Sequence, residues 1–494
     1  TQTHHAEMNF YPLGGQKAPP ASTPEAVQKS IRGLKSNSSA GPDGLPAVFF
    51  KNAASLICFP LSVIFNLSLQ TGDIPDIWKL ATVVPVFKKG SPSDPCNYRP
   101  ISLTCIACKL MESCIKDVLL DFLKVNKIIN ASQHGFMARK STTTHLLECN
   151  LDWNAAIHCK SGVDVVYLDF AKAFDSVVHK KLIAKLRCYG ICDMLLRWIQ
   201  SFLTNRFQSV LVGSSYSSIV SVISGVPQGS VLGPVLFILF VNDITDCMAD
   251  NVTVKLFADD AKIYTIIDDF NLSSNQLQHS LDLVAAWADH WQLKLSPLKC
   301  SVMRLTGNRS SSHHGPSYTV GAYCLPNVSQ CTDLGVSYDN HLHFKSHVCS
   351  IVKKAAGRAK CILKCFSSRD KLLLARAFST FLRPLLEFSF VIWCPYYINE
   401  IIKIEAVQRA FTKSIGNLRL YTYHERLVIL KLDSLQCRRL KTDLIMCYKI
   451  LYGMVDINTS CFFKRSLYDS TRGNSLKLAK LLVVSERDKN FFTN

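Results

Sequence analysis

Phe257-Ala258-Asp259-Asp260 decides the reading of this chain. Residues 252–257 are apolar or β-branched at most positions, and 263–267 repeat that character after a few residues. The two acids therefore fall in a tight turn between two strands. Adjacent carboxylates flanked by apolar strands are costly unless something cationic shares the site. A divalent metal does that, and hard oxygen donors suit magnesium best. Alone the turn says little, because Asp is a favoured turn residue and a solvated hairpin tip is the ordinary explanation.

A second acid upstream changes that balance. Asp169 follows the apolar run in Val165-Val166-Tyr167-Leu168-Asp169-Phe170-Ala171-Lys172-Ala173-Phe174-Asp175, which reads as a buried strand ending at the acid, with a helical stretch over 174–189. If the strands are sheet neighbours the acids converge. Two metal ions roughly 3.5–4 Å apart could then be held by Asp169 and Asp259, activating a primer hydroxyl and neutralising a leaving pyrophosphate. This is polymerase chemistry. Between the acids, Gly225-Val226-Pro227-Gln228-Gly229-Ser230-Val231-Leu232-Gly233-Pro234 sets a Gly/Pro loop before the apolar stretch 235–244. Its glycines let backbone approach a ligand, and Gln228 offers a donor and an acceptor; taken singly it is a loop before a buried helix.

In that order the three motifs resemble the core blocks of reverse transcriptases from non-LTR (LINE-type) retrotransposons, nearest the jockey-like lineages, over about residues 36–453. The resemblance implies that Asp169, Asp259 and Asp260 are the catalytic acids, with the main-chain carbonyl of Phe170 as a further metal ligand for two Mg²⁺ ions, Mn²⁺ being a substitute. Phe174, five residues past Asp169, falls where such enzymes place a ring under the sugar. A ring there excludes a 2′-hydroxyl and selects deoxynucleotides; otherwise it is a core Phe opening an amphipathic helix.

Composition fits. The 494 residues allow about two to four subdomains. Lys+Arg 56 against Asp+Glu 37 gives 56 − 37 = +19, which suits a phosphate-rich partner. Neither a signal peptide nor a basic membrane anchor is visible, and the apolar stretch 231–241 is too short to span a bilayer, so an intracellular protein of nucleus or cytoplasm, without a membrane segment, is expected. The 20 cysteines are scattered through apolar segments; Cys105-Ile-Ala-Cys108 lacks a second pair at zinc spacing and reads as core thiols.

Along the chain, a Ser/Thr-Pro-Glu start predicts a helix over 23–34, and the turn-rich 36–46 precedes helical patterns over 47–71. A strand over 81–87 ends at Lys88-Lys89-Gly90, and Asn97-Tyr98-Arg99-Pro100 opens its partner. Lys and Arg at such tips make a triphosphate clamp. The family uses these positions so, implying that Arg99 and one of Lys88 or Lys89 touch the incoming nucleotide; a solvated basic loop is the alternative. After a helix over 105–125, Gln133-His134-Gly135-Phe136-Met137-Ala138-Arg139-Lys140 resembles the block where template and primer meet the fingers, making Arg139 and Lys140 backbone contacts and His134 structural. Helices over 177–188 and 194–203 and strands over 208–212 and 218–223 lead to the Gly/Pro loop.

After the acid hairpin, Leu277, Leu281, Val284, Ala288 and Trp291 recur at helical spacing, so Trp287 and Trp291 read as core. Lys299 is the candidate proton donor to pyrophosphate, although the family usually has Asn where Ser296 stands, and a surface Lys before a strand is the ordinary alternative. Residues 306–317 read as a flexible Gly/Ser/His insertion, and Asp333-Leu334-Gly335-Val336-Ser337-Tyr338 resembles the primer-grip strand. Beyond it Val348, Val352, Ala355, Ala359, Ile362 and Phe366 form one helical stripe, with Lys353, Lys360 and Lys364 away from it as candidate phosphate contacts. Ile404, Val407, Phe411 and Ile415, then Leu440, Leu444, Cys447 and Leu451, repeat the pattern.

The expectation is an α+β right-hand polymerase: N-terminal extension and fingers over 1–159, a palm of antiparallel sheet backed by helices over 160–338, a helical thumb over 339–460 and an unassigned tail over 461–494. Its implied activity is RNA-templated DNA synthesis from a primer hydroxyl with dNTPs, by target-primed reverse transcription on nicked DNA. The chain opens directly on the fingers, so no endonuclease is assigned to it. Two rivals are a non-catalytic nucleic-acid-binding remnant of such an element and an RNA-dependent RNA polymerase, against which Phe174 speaks. Which RNA is copied, which target is chosen and the oligomeric state stay open.

Overall fold

The computed structural model describes residues 22–191, 193–306, 316–464 and 478–479. Its strands are β1 (Leu80–Phe87), β2 (Tyr98–Leu103), β3 (Gly162–Leu168), β4 (Arg206–Val212), β5 (Ser215–Tyr216), β6 (Val220–Val222), β7 (Val252–Phe257), β8 (Asp260–Ile267), β9 (Ser301–Leu305), β10 (Thr319–Val320), β11 (Tyr323–Cys324), β12 (Gln330–Asp333) and β13 (Val336–Asp339). The first ten helices are α1 (Pro24–Gly33), α2 (Ala47–Asn52), α3 (Ala54–Thr71), α4 (Asp76–Lys79), α5 (Ile106–Val125), α6 (Thr142–His158), α7 (His179–Cys188), α8 (Asp193–Leu203), α9 (Gly233–Val241) and α10 (Phe270–Trp291). Most of the proposed insertion over 306–317 lies outside the described residues, as does most of the tail.

Local chemistry sets the boundaries. Thr23 caps α1 by accepting from Ala26 N at 3.2 Å, and Pro24 sits where a missing N–H costs nothing. Gly72, at φ +80°, ends α3 in the left-handed conformation that glycine enters without strain. Among the described residues α3 is the one helix long and apolar enough to cross a membrane by length and composition. In the fold Phe65 and Leu69 bury one of its faces, and Ser68 Oγ accepts from the Trp198 indole at 3.0 Å.

Two sheets organise the first two thirds of the chain. One has the order β2-β1-β4-β5 with β6 also on β4; β1 and β4 run parallel and the other pairs antiparallel. It therefore joins residues 80–103 to 206–222, on both sides of the boundary expected at 159/160. The second sheet, β7-β8-β3-β9, is antiparallel throughout. Its central strand β3 carries Val166 and Leu168 into one core and Val163 and Val165 into another, which is why the run reads as continuously apolar. Asp164 is fully buried there and is held by Arg304 at 2.6 Å through two nitrogens and by the Tyr318 hydroxyl at 2.7 Å.

The remainder is helical: α11 (Lys345–Cys365), α12 (Lys371–Ala377), α13 (Arg383–Glu387), α14 (Phe390–Trp393), α15 (Ile398–Lys413), α16 (Tyr423–Leu430) and α17 (Leu435–Leu451). Val348, Ala355, Ala359 and Ile362 of α11 and Ile404, Val407 and Phe411 of α15, with Ile415 just beyond, are buried as the spacing predicts. The stripe on α17 differs: Leu440 and Leu444 are exposed, and Leu435 and Ile450 supply that helix's buried contacts. Periodicity finds an apolar face but does not show that a neighbour covers it. Cys105 and Cys108 are buried core thiols, Cys105 pushed up to about 12 by burial and the Asp43 charge.

His347 joins α11 to β13: its Nδ1 accepts from Ser337 N at 3.2 Å, and its ring meets Trp393 edge-on at 5.0 Å. Burial, helped by Lys354, lowers its pKa from 6.5 to about 4. A depressed histidine contributes stability that is complete above the unfolded value and lost as pH falls toward the folded one. Urea unfolding should show a loss of about 2 kcal/mol between pH 7 and pH 4 that His347→Asn, which keeps an acceptor but does not titrate, removes.

Candidate active site

Strand register brings the acids together. Leu168 pairs with Ala261 across β3 and β8, so Asp169, one residue past β3, and Asp260, one residue before Ala261, emerge side by side. Phe257 pairs with Asp260, leaving Ala258 and Asp259 as a two-residue turn with Ala258 at φ +57°. Asp260 is thus the first residue of β8 and only Asp259 sits in the turn. On the other side, Ser296 N donates to Asp169 O at 2.8 Å and Ala171 N to Lys294 O at 2.8 Å. Neither bond uses the carbonyl of Phe170, whose buried ring meets Trp287 edge-on at 6.3 Å.

The cluster is electrostatically strained. Burial first, then the charges of Asp259, Asp333 and Asp169, push the Asp260 carboxyl up to about 6. Asp259 is also raised, chiefly by burial and then by Asp169, while Arg99 and Lys88 pull it back. Lys299 Nζ lies 3.2 Å from Asp169 Oδ1 as a half-exposed ion pair. Among the described residues no three acids, histidines or cysteines close to metal-coordinating spacing. The donors at 169, 259 and 260 are nevertheless all hard carboxylate oxygens, and their mutual repulsion is what a divalent cation relieves.

Beside them the Gly/Pro loop is locked to the turn after Asp169. Gln228 Nε2 donates to Asp175 Oδ1 at 2.9 Å, Val226 N to Phe174 O at 2.8 Å, and Ser102 N to Gln228 O at 2.6 Å. Gly229, at φ +115°, has no room for a side chain: a Cβ would lie 2.6 Å from Ser102 O. Phe174 is half-buried and stacks on Phe237 of α9, with centroids 4.3 Å apart. A cavity of about 320 Å³ opens here, lined by Pro100, Ser102, Asp175, Arg206 and Gln228.

The other candidates divide. Lys88, Lys89 and Arg99 are exposed at the end of the β1–β2 pair where the 88–97 connection joins the two strands. Lys353, Lys360 and Lys364 are exposed on α11, away from its buried stripe. Arg139 and Lys140 are engaged within the fold: Arg139 Nη1 donates to Gly453 O at 3.1 Å, and Lys140 Nζ to Gln133 O at 3.1 Å, with burial lowering the Lys140 pKa.

Among the buried charges that sequence reasoning passed over are Glu112 and Lys262. Glu112 on α5 accepts from Val231 N and Leu232 N at 2.7 and 2.9 Å, fixing the loop that carries Gln228. Lys262, two residues past Asp260, pairs with Asp333 in an ion pair whose side chains are 4% and 6% exposed. A lysine inside the apolar run 261–267 was the available signal.

The acids thus converge at one end of an antiparallel sheet, and the glycine-rich loop is bonded to the turn that follows Asp169. The reverse transcriptase (RNA-dependent DNA polymerase) family model matches residues 86–338, and the chain belongs to this family. It is 28% identical over 371 residues to the RNA-directed DNA polymerase from mobile element jockey of Drosophila melanogaster, covering 73% of this chain and 40% of that protein. It is 27% identical over 414 residues to the probable RNA-directed DNA polymerase from transposon BS of the same fly, covering 80% and 45%. A probable RNA-directed DNA polymerase from transposon X-element is 25% identical over 399 residues, covering 79% and 44%. The chain thus spans less than half the length of these relatives.

Removing either partner of a buried pair strands the other charge. Lys262→Met or Asp333→Leu alone should cost about 3–5 kcal/mol, while the double substitution should fall within about 1 kcal/mol of the parent in urea unfolding.

Proposed function

We propose that this chain is an RNA-directed DNA polymerase of a non-LTR retrotransposon, extending a primer 3′-hydroxyl with dNTPs. The observation that carries this reading is the Leu168–Ala261 pairing, which sets Asp169 beside Asp260 and the Asp259 turn. Asp169, Asp259, Asp260 and the Phe170 carbonyl are the proposed ligands of two Mg²⁺ ions. When bound, such ions acidify the primer hydroxyl and neutralise the leaving pyrophosphate.

This chain's own groups supply the rest. Arg99 and Lys88, whose charges reach Asp259, hold the triphosphate, and Lys89 extends the same basic end. Gln228, anchored through Asp175, lines the nucleotide cavity. The Phe174 ring, held by its stack on Phe237, closes the space a 2′-hydroxyl would need. Lys299 is the proposed proton donor to pyrophosphate, a reading supported by its nearness to Asp169, its present partner.

In a right-hand arrangement the second sheet is the palm, the first sheet and α1–α5 the fingers, and α11–α17 the thumb. Lys353, Lys360 and Lys364 then track the phosphates of an RNA template and DNA primer. Arg139 and Lys140 reach nucleic acid only by releasing the bonds they make in this conformation. Target-primed synthesis on nicked DNA follows from the likeness to jockey-type elements.

The purified chain should incorporate dTTP on poly(rA)/oligo(dT) with Mg²⁺. Asp259→Asn should cut the rate by roughly a thousandfold, since metal charge stabilisation is worth several kcal/mol and each 1.36 kcal/mol is tenfold. Template binding without incorporation by the parent chain would instead identify a non-catalytic remnant. Phe174→Ala should raise ribonucleotide use relative to deoxynucleotide use by about tenfold, the value of one lost apolar contact. An unchanged ratio would remove the sugar gate.

A further inference from the structure

Gln133 lies outside every role assigned so far, yet it is 1% exposed and bonded directly to the acid turn. Its Oε1 accepts from two backbone N–H groups, Gly135 at 2.7 Å and Ala258 at 3.0 Å. Ala258 is the residue between β7 and Asp259, and it holds φ +57°, a conformation an alanine does not choose unaided. The bond from Gln133 satisfies its buried N–H in that conformation.

The surrounding backbone supports the same contact. Leu256 N donates to Ser132 O at 3.0 Å and His134 N to Leu256 O at 2.8 Å, so residues 132–134 run parallel to the end of β7 as an added edge. Gly135 then passes so close to the turn that a Cβ would collide with the Ala258 backbone nitrogen. No side chain can enter between the two segments, and the glutamine oxygen is the polar group that reaches across.

We propose that Gln133 is a positioning residue: by holding the Ala258 N–H it fixes the two-residue turn that aims the Asp259 carboxylate. It acts through Ala258 and does not touch substrate. The assignment rests on the polymerase reading of Asp259. It differs from that reading in placing part of the site's preorganisation on the loop before α6, far from the acids in sequence. A displacement of about 1 Å at a reacting group costs on the order of a hundredfold in rate, so one hydrogen bond at the turn has leverage.

The test compares Gln133→Met, which keeps length and volume but removes the acceptor, with Gln133→Glu, which keeps an oxygen in place. Among the described residues Gln133 Nε2 has no hydrogen-bond partner, so the glutamate forfeits none there. Hydrogen exchange is read on the peptide covering 256–261 of each full-length chain. The Met variant should exchange the Ala258 amide about tenfold faster or more, and the Glu variant within about threefold of the parent. In single-nucleotide extension, run well below the melting transition of every variant, the Met variant should lose kcat by about tenfold to a hundredfold with KM for dTTP within about threefold, its Tm falling by a few degrees as two buried N–H groups lose their acceptor. Unchanged exchange in the Met variant, equal acceleration in both variants, or faster exchange with undiminished kcat would each overturn the assignment. If the parent chain extends no primer, the polymerase reading fails by itself, and the exchange comparison still decides whether Gln133 holds the turn.

Discussion

The pairing of Leu168 with Ala261 is the constraint on which the rest depends. Strand side chains alternate with a period of two, so a slip of one residue between β3 and β8 would send every apolar side chain to the wrong face. Here both faces of β3 are buried, Val166 and Leu168 in one core and Val163 and Val165 in another, and the penalty for slipping falls on both. The position of Asp169 relative to Asp260 is therefore set by hydrophobic packing, which has no stake in the carboxylates. That allows the sheet to hold acids together in a buried place, where burial first and then the charges of Asp259, Asp333 and Asp169 push the Asp260 carboxyl up to about 6.

The counter-charges come from elsewhere in the fold. Arg99 and Lys88 stand on the first sheet, joined to the second by no strand pair, and still act on Asp259. Lys262 sits two residues from Asp260 but is committed to Asp333, and so ties β8 to β12. Exposed cations on the first sheet stay available to a polyanionic ligand, whereas the buried lysine is spent on structure. In a chain carrying +19 overall, Asp169, Asp259 and Asp260 are thus gathered where the exposed cations Arg99 and Lys88 act on Asp259.

Much of this was legible in the amino-acid order. The apolar run before Asp169, the short spacing between β7 and β8 and the Gly/Pro loop each carry a local signature, and all three elements form, although β8 starts at Asp260 and leaves only Asp259 of the two acids in the turn. What the sequence hid was partnership. Arg139 and Lys140 look like free cations, but Gly453 and Gln133 lie over 300 residues and 7 residues away respectively, and only the folded chain shows both carbonyls within reach. Leu440 and Leu444 have core spacing and yet are exposed. Parallel pairing of β1 with β4, which merges segments on both sides of β3, is a long-range event that no local pattern announces. Glu112, Gln133 and Lys262 share one feature: each is a polar residue in an apolar or structural context, read as incidental until its partner is seen.

Glu112 shows why such residues are required. In α9 every residue except Pro234 is buried, so the helix is apolar all round and its first turn is shut off from water. A helix start leaves its first N–H groups without partners in the helix, and burying them unpaired costs about 1–3 kcal/mol each. The N–H groups of Val231 and Leu232, just before α9, both point to Glu112, whose own burial raises its pKa while these bonds and Arg206 pull it back. One carboxylate thereby answers a packing problem and a positioning problem together. The first donor of α9 itself, Gly233 N, is met by Ser230 Oγ at 2.9 Å, and Glu112 clamps the two residues before it, next to the loop carrying Gln228, while Phe237 of the same helix supports the Phe174 ring. The rigidity of the proposed nucleotide site is thus a consequence of how completely α9 is buried.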